Sequence, residues 1–99
     1  MATITNSLAS GSHTLFTAGQ LIEDIKAITF TPTTIGTTAT VSLSIKKEGE
    51  STSFFLIRAL SIKAGNVFVL DNPHLLAYEK SQYSLLITTN QQTQVIVFT

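Results

Sequence analysis

The sequence predicts a single all-β domain, an antiparallel β-sandwich of jelly-roll type with about seven or eight short strands. Three observations predict this fold class. Apolar and polar residues alternate with a period of two in several segments, turn residues separate these segments, and no long helical pattern is present. The chain has 99 residues, which is enough for one two-layer core, so residues 1–99 are assigned to one domain.

The clearest strand spans residues 37–47. Its apolar residues alternate with hydroxyl residues, which places one face of the strand in a core and the other in water. The alternating apolar residues are Ala39, Val41, Leu43 and Ile45. A charged turn with Gly49 follows, and residues 52–60 return to strand character. These two segments are predicted to form an antiparallel hairpin.

Two further strands are predicted in the second half of the chain, followed by a third at its end. Residues 67–70 form a short apolar strand that ends at Asp71-Asn72-Pro73, because proline cannot donate to a strand ladder. Residues 83–88 alternate again, Asn90-Gln91-Gln92 form a turn, and residues 93–98 form the last strand. We expect these last two strands to form a second hairpin.

The first third of the chain is less regular. Residues 13–17 and 22–31 are predicted to be strands, separated by Ala18-Gly19-Gln20. Residues 21–27 also fit helical spacing, so one helical turn there is the alternative. A strand from about Ile25 onward is preferred, because residues 28–31 are rich in β-forming residues and end before Pro32. Residues 1–12 are expected to form an edge strand or an arm.

Composition excludes several classes of function. The chain has six cationic and six acidic residues, a net charge of zero and no cluster of basic residues, which argues against nucleic-acid binding. It has no cysteine, so disulfides and thiolate metal sites are excluded. Its longest apolar runs are four residues, far short of the roughly 20 that span a bilayer, and Met1–Thr5 lacks the features of a secretory signal.

No constellation of residues indicates catalysis or cofactor binding. His13 and His74 are far apart in the sequence and have no second histidine or carboxylate at metal-ligand spacing. The stretch Ser10-Gly11-Ser12-His13 contains nucleophile and base, but without the strained turn that presents a catalytic serine. The acidic residues resemble solvated strand ends. We therefore expect no enzyme activity, no metal and no cofactor.

Apolar residues also occur on strand faces that the alternation predicts to be exposed to solvent. Phe54 and Leu56 share their parity with Arg58, so they are predicted to point outward, while Phe55, Ile57 and Ala59 are assigned to the core. Leu86 is the third outward candidate, because it lies opposite the apolar face of its strand. Phe54, Leu56 and Leu86 are therefore the predicted protein-interface residues. The alternative is that loops and the N-terminal arm of the same chain cover them.

The apolar runs at residues 67–70 and 95–98 bear on the same question. They are expected to bury both of their faces, as strands do when something covers the second side of a sheet.

The order of these motifs resembles that of small β-sandwich virion proteins of tailed bacteriophages. The segments that carry the resemblance are residues 14–18, 25–30, 40–45, 61–71 and 94–97, of which Ser61-Ile62-Lys63-Ala64-Gly65-Asn66-Val67-Phe68-Val69-Leu70-Asp71 is the most specific. The chain departs from the family at residues 78–82, where members tend to have a Gly-Asp turn. The family contributes no catalytic residues.

The resemblance implies a non-enzymatic structural protein that is made in the host cytoplasm and becomes part of the virion. It implies decoration or cementing of the capsid, with the capsid protein and copies of the chain itself as partners, and no nucleic-acid or membrane partner. A neck, tail or fibre component is the first alternative. A carbohydrate-binding module is the second, although the chain has no tryptophan and only two tyrosines, Tyr78 and Tyr83, for sugar stacking.

Overall fold

The computed structural model describes residues 3–20 and 23–99 of the chain. Over these residues it contains eight strands and one short helix. The strands are β1 (Thr3–Leu8), β2 (Gly11–Phe16), β3 (Ala27–Pro32), β4 (Thr38–Lys47), β5 (Ser53–Lys63), β6 (Phe68–Leu70), β7 (Tyr83–Thr89) and β8 (Thr93–Phe98). The helix, α1 (Pro73–Leu76), lies between β6 and β7.

The strands form two antiparallel four-stranded sheets that pack face to face. One sheet has the order β1-β8-β3-β6 and is called the β1 sheet; the other has the order β2-β7-β4-β5 and is called the β2 sheet. Consecutive strands alternate between the two sheets, except for β4 and β5, which are neighbours in one sheet. This arrangement of eight strands is a jelly roll, and it confirms the predicted fold class.

The core lies between the two sheets and is made of the inward side chains of every second strand residue. The largest fully buried apolar side chains of the strands come from the central strands of both sheets. They are Ile28, Phe30, Val41, Leu43, Leu85, Ile87, Val95 and Val97. Burial of each such side chain stabilises the fold by about 1.5–3 kcal/mol, so the core depends on the period-two alternation of these strands.

The predicted hairpin of residues 37–60 is confirmed, because β4 and β5 pair along their length. The predicted second hairpin is wrong. β7 pairs with β2 and β4, whereas β8 pairs with β1 and β3, so the chain crosses from one sheet to the other between them. Both strands present apolar residues to the core from opposite sides, which a hairpin within one sheet would not allow.

Two buried hydroxyls stabilise this crossing. The hydroxyl oxygens of Thr89 and Thr93 lie 3.1 Å apart, and each lies within 3.0 Å of the carbonyl oxygen of Gln91. The polar groups of the crossing are therefore hydrogen-bonded although they are buried. A turn of asparagine and glutamines looks the same in the sequence whether it joins a hairpin or links two sheets.

The remaining predictions concern the first third of the chain and the segment after β6. Residues 3–8 form an edge strand, and residues 23–26 form no helix; Leu21 and Ile22, part of the helical alternative, lie outside the described residues. The predicted strand end at Asp71-Asn72-Pro73 also starts α1. There the amide of His74 donates to Oδ1 of Asn72 over 2.9 Å, so Asn72 is the N-cap of a helix at a place where the sequence predicts only a strand end.

β5 does not pair evenly with β4. Ser44 lies opposite Phe55 and Leu43 opposite Ile57, so Leu56 is an extra residue in β5. Beyond it Val41 lies opposite Leu60, which leaves a second extra residue beside Ser42. These two β-bulges bend the strand and reverse its face parity locally. At the second bulge Ala59 has a φ of 56°, and its amide donates to Oγ of Ser42 over 2.9 Å.

Replacing Ala59 by glycine is expected to stabilise the protein. A non-glycine residue in the left-handed region costs about 1–2 kcal/mol, of which the greater freedom of unfolded glycine cancels about 0.4–1 kcal/mol. Urea unfolding should show a free energy of unfolding for Ala59→Gly that is higher by up to about 1 kcal/mol. Ala59→Val should lower it, because a β-branched residue tolerates positive φ poorly. A loss of stability in both variants would contradict the bulge geometry.

Candidate functional site

The outer face of the β2 sheet carries a row of side chains across all four strands. Thr14 of β2 lies opposite Leu86 of β7, Leu86 opposite Ser44 of β4, and Ser44 opposite Phe55 of β5. Ser44 is only 8% exposed although it is on the outer face, because its larger neighbours flank it. The row is therefore an apolar surface with a hydroxyl at its centre.

This row forms the floor of a shallow groove of about 260 Å³. Apart from Phe55, Leu86 and His13, its lining is entirely hydroxyl residues. The lining residues are Ser12, His13, Thr14, Ser44, Ser53, Phe55, Leu86 and Thr88. A surface of this kind can exclude water over Phe55 and Leu86 and accept or donate hydrogen bonds around them.

The three predicted interface residues occupy three different environments. Leu86 is half-buried on the outer face, as predicted. Phe54 lies opposite Ile45 of β4, and Ile45 lies opposite the fully buried Leu85 of β7. Phe54 therefore belongs to the core-facing side of the sheet. It is 56% exposed because it lies at the rim of that side. Leu56 is half-buried and packs against the core from the bulge position. Whether any of the three contacts a partner stays a prediction.

The predicted face of Phe55 is wrong. Phe55 is 52% exposed and lies on the outer face beside Ser44, not in the core. Parity counting from Arg58 fails because the extra residue Leu56 separates the two positions. The unbroken apolar run at residues 54–57 is a signal of the bulge in the sequence. In a regular half-buried strand apolar and polar residues alternate, whereas in a bulged strand they need not.

Arg58 accompanies Phe55 on the same face. The guanidinium carbon of Arg58 lies 5.1 Å from the centroid of the Phe55 ring, a cation–π contact. Lys46 lies opposite Ser84, and Lys63 lies opposite Thr38. Because Ser84 and Thr38 are on the outer face, both lysines also point to the outer face of the sheet. No acidic side chain belongs to the outward positions of these four strands in the described chain. Arg58 and Lys46 lie next to the groove residues Phe55 and Ser53, so the groove combines apolar side chains and hydroxyls with positive charge at its margin.

The outer face of the β1 sheet has a different character. Thr5, Ile96, Thr29 and Val69 form a row across β1, β8, β3 and β6. Val69 is 51% exposed and Ile96 is half-buried. We expected the runs 67–70 and 95–98 to be covered on both faces, but Val69 is open to solvent within this chain. The outward positions of this sheet carry no charged residue.

Ser12 and His13 are engaged in ordinary structural contacts. Nε2 of His13 lies 2.7 Å from the carbonyl oxygen of Ala9, and Oγ of Ser12 lies 3.0 Å from the hydroxyl of Thr88. Ser12 and His13 are adjacent on a strand, so their side chains point to opposite faces. His74 is exposed on α1. Among residues 3–20 and 23–99 no three histidine, aspartate or glutamate side chains form a group that could hold a metal ion.

The tyrosines lie away from the groove. Both are half-buried, and Tyr78 follows α1, where Nζ of Lys80 lies 4.8 Å from its ring centroid and donates to the carbonyl oxygen of Leu76 over 3.1 Å. Burial raises the pKa of Tyr78 to about 12, because the phenolate would lose its hydration. The only exposed aromatic ring of the groove, Phe55, already carries Arg58 on one face. This arrangement gives little support to a sugar-stacking platform.

Within the described residues, no helix has the length and apolar character needed to cross a membrane. Comparison of the chain with known protein families, with curated proteins and with solved structures finds no match.

The burial of Tyr78 predicts a specific loss of stability at alkaline pH. Its pKa in the folded protein, about 12, exceeds the ordinary value of 10.0, so the folded state keeps a proton that the unfolded chain loses between these values. The free energy of unfolding should therefore fall as pH rises from 10 toward 12. Tyr78→Phe should show a smaller fall than the native chain in urea unfolding at pH 9 and 11. Equal falls in both proteins would contradict the burial of this phenol.

Proposed function

We propose that this protein is a non-enzymatic structural component of a tailed-bacteriophage virion, which decorates or cements the capsid through protein–protein contacts. The observation that carries the proposal is the outer face of the β2 sheet, where Phe55 and Leu86 form an apolar surface within a hydroxyl-rich groove. The resemblance of the strand and turn motifs to small virion proteins supplies the biological setting. The jelly roll is also used by viral capsid proteins, which is an analogy at the level of the fold alone.

Contact through this face has a simple energetic basis. Each Å² of apolar surface that a partner removes from water contributes about 25 cal/mol. Serine and threonine hydroxyls around Phe55 lose little on burial if the partner supplies hydrogen bonds. Arg58, Lys46 and Lys63 favour a partner with carboxylates at the matching positions and disfavour pairing of the face with itself. The β2 sheet therefore suits a different protein, such as a capsid subunit.

A neck, tail or fibre location is the alternative, because the same contacts would serve there. Antibodies raised against the chain and labelled with gold can distinguish these locations on virions of the phage that encodes it. Label over the heads is the expected result. Label confined to the tail or neck would move the protein to the alternative location, and its absence from purified virions would refute the proposal.

Replacing Phe55 by aspartate should weaken binding to the capsid by at least tenfold. The change removes the apolar centre of the groove and places a charge where a partner must exclude water. Binding can be measured by co-sedimentation with capsid shells from which the protein has been stripped. Both Phe55 and the control residue Val69 are about half exposed, at 52% and 51%, so neither change should unfold the domain.

Val69→Asp is the matched control, because it makes the same chemical change on the outer face of the opposite sheet. Val69→Asp should bind capsid shells like the native chain. Equal loss of binding in both variants, or full binding by Phe55→Asp, would show that the β2 sheet is not the contact surface. Thermal unfolding of each variant confirms that the comparison is between folded proteins.

A further inference from the structure

The four edge strands of the sandwich differ in how they are protected against pairing with another strand. β2 has a bulge at Leu15, and β5 has two bulges and carries Arg58. β6 is only three residues long, and Pro73 and α1 follow after two intervening residues. Bulges, edge charges and short length are the features that prevent edge-to-edge association of β-sheets. Three of the four edges therefore carry such a feature.

β1 has none of them. Its six residues pair with β8 without a break in register, and they include no proline and no charged residue. Within the described part of the chain, no strand pairs with the other side of β1. The backbone N–H and C=O groups on that side are therefore available to a further strand.

The inward side chains of β1 are also incompletely covered. Ile4 and Leu8 pack against the core but are only half-buried, whereas their neighbours Val97 and Thr93 on β8 are fully buried. A strand added beside β1 would extend the sheet over the margin of the core and cover both apolar residues. The edge thus lacks both hydrogen-bond partners and apolar cover on the same side.

We propose that β1 pairs antiparallel with β1 of a second copy of this chain, around a two-fold axis at Asn6. The two β1 sheets would then form one continuous eight-stranded sheet. The dimer follows from the edge itself and does not require that the protein belong to a virion, so it goes beyond the function proposed above.

The sequence of β1 favours a second copy over an unrelated strand, because it is self-complementary about Asn6. In that register Ile4 lies opposite Leu8 of the second copy, which joins two apolar side chains at the margin of the core. Thr5 lies opposite Ser7 of the second copy, which joins two hydroxyl residues on the outer face. Asn6 faces its own counterpart, and an amide can both donate and accept a hydrogen bond.

Charge distribution supports the same choice of partner. The outward positions of the β1 sheet carry no charge, so two copies can approach without repulsion. A groove of about 340 Å³ along β1 and β8 is lined by uncharged residues only, namely Thr5, Asn6, Ser7, Gln94, Val95 and Ile96. The β2 sheet, by contrast, would bring Arg58 and two lysines against their own copies. A two-fold contact through β1 leaves both β2 sheets free for another partner.

A pair of double variants tests both the dimer and its register. Thr5 and Ser7 are exposed on the outer face, so substitutions there should leave the fold intact. Thr5→Lys/Ser7→Lys places like charges opposite each other across the two-fold axis and should weaken the dimer at least tenfold at low ionic strength. Thr5→Lys/Ser7→Glu places opposite charges across the axis and should restore the dimer. The second variant is the matched control for the first.

The readout is sedimentation equilibrium at micromolar concentrations, where the native chain should have twice its monomer mass of 10.7 kDa. A monomeric native chain would overturn the proposal, and so would a Thr5→Lys/Ser7→Lys variant that dimerises like the native chain. Failure of Thr5→Lys/Ser7→Glu to dimerise would overturn the register about Asn6. Capsid binding is measured separately, so failure of the dimer and failure of the virion role can be told apart.

Discussion

The register between β4 and β5 decides which side chains of the longest strand face the core and which face outward. Because β5 carries an extra residue at two points, Ile57, Leu60 and Ile62 all reach the core-facing side while Phe55 and Arg58 reach the outer face. The hydrogen bond from the amide of Ala59 to Ser42 holds the second of these points in place. Without the two bulges, the alternation that places Leu60 and Ile62 on the core-facing side would also place Arg58 there and would turn Ile57 outward.

The two sheets have different outer surfaces. The β2 sheet has an apolar groove with cationic residues at its margin, and its edges are irregular. The β1 sheet has no charge at its outward positions and ends in a regular, self-complementary edge strand. Charge repulsion disfavours the first surface as a contact between copies, whereas backbone complementarity favours the second. One sandwich can therefore contact a different protein with one sheet and its own copy with the other.

The fold class could be predicted from the sequence because it depends on local patterns. Alternation in β4 and turn residues after β6 are properties of short segments, and the structure confirms both. Which strands pair is a non-local property, so residues 89–93 looked like a hairpin turn although they cross between sheets. The buried hydroxyls of Thr89 and Thr93 distinguish the two cases only once the partner sheets are known.

The candidate site was predicted only in part for a related reason. Leu86 lies on a regular strand, so its parity predicted the correct face. Phe54 and Phe55 lie before a bulge, where parity counted from Arg58 no longer holds, so each lies on the face predicted for the other. The unbroken apolar run at residues 54–57 indicates an irregular strand, but the position of a bulge depends on the partner strand and on a backbone angle such as that of Ala59.

Phe55, and not Phe54, shares the outer face of the β2 sheet with Leu86, and the candidate site depends on this placement. Cross-strand backbone nuclear Overhauser effects in an isotope-labelled sample test it most directly, because they report strand register without reference to any partner. We expect contacts of Ser44 with Phe55 on one side and with Leu86 on the other. Contacts of Ser44 with Leu56 or Ile57 in place of Phe55 would contradict this register and would mean that other side chains of β5 lie on the outer face.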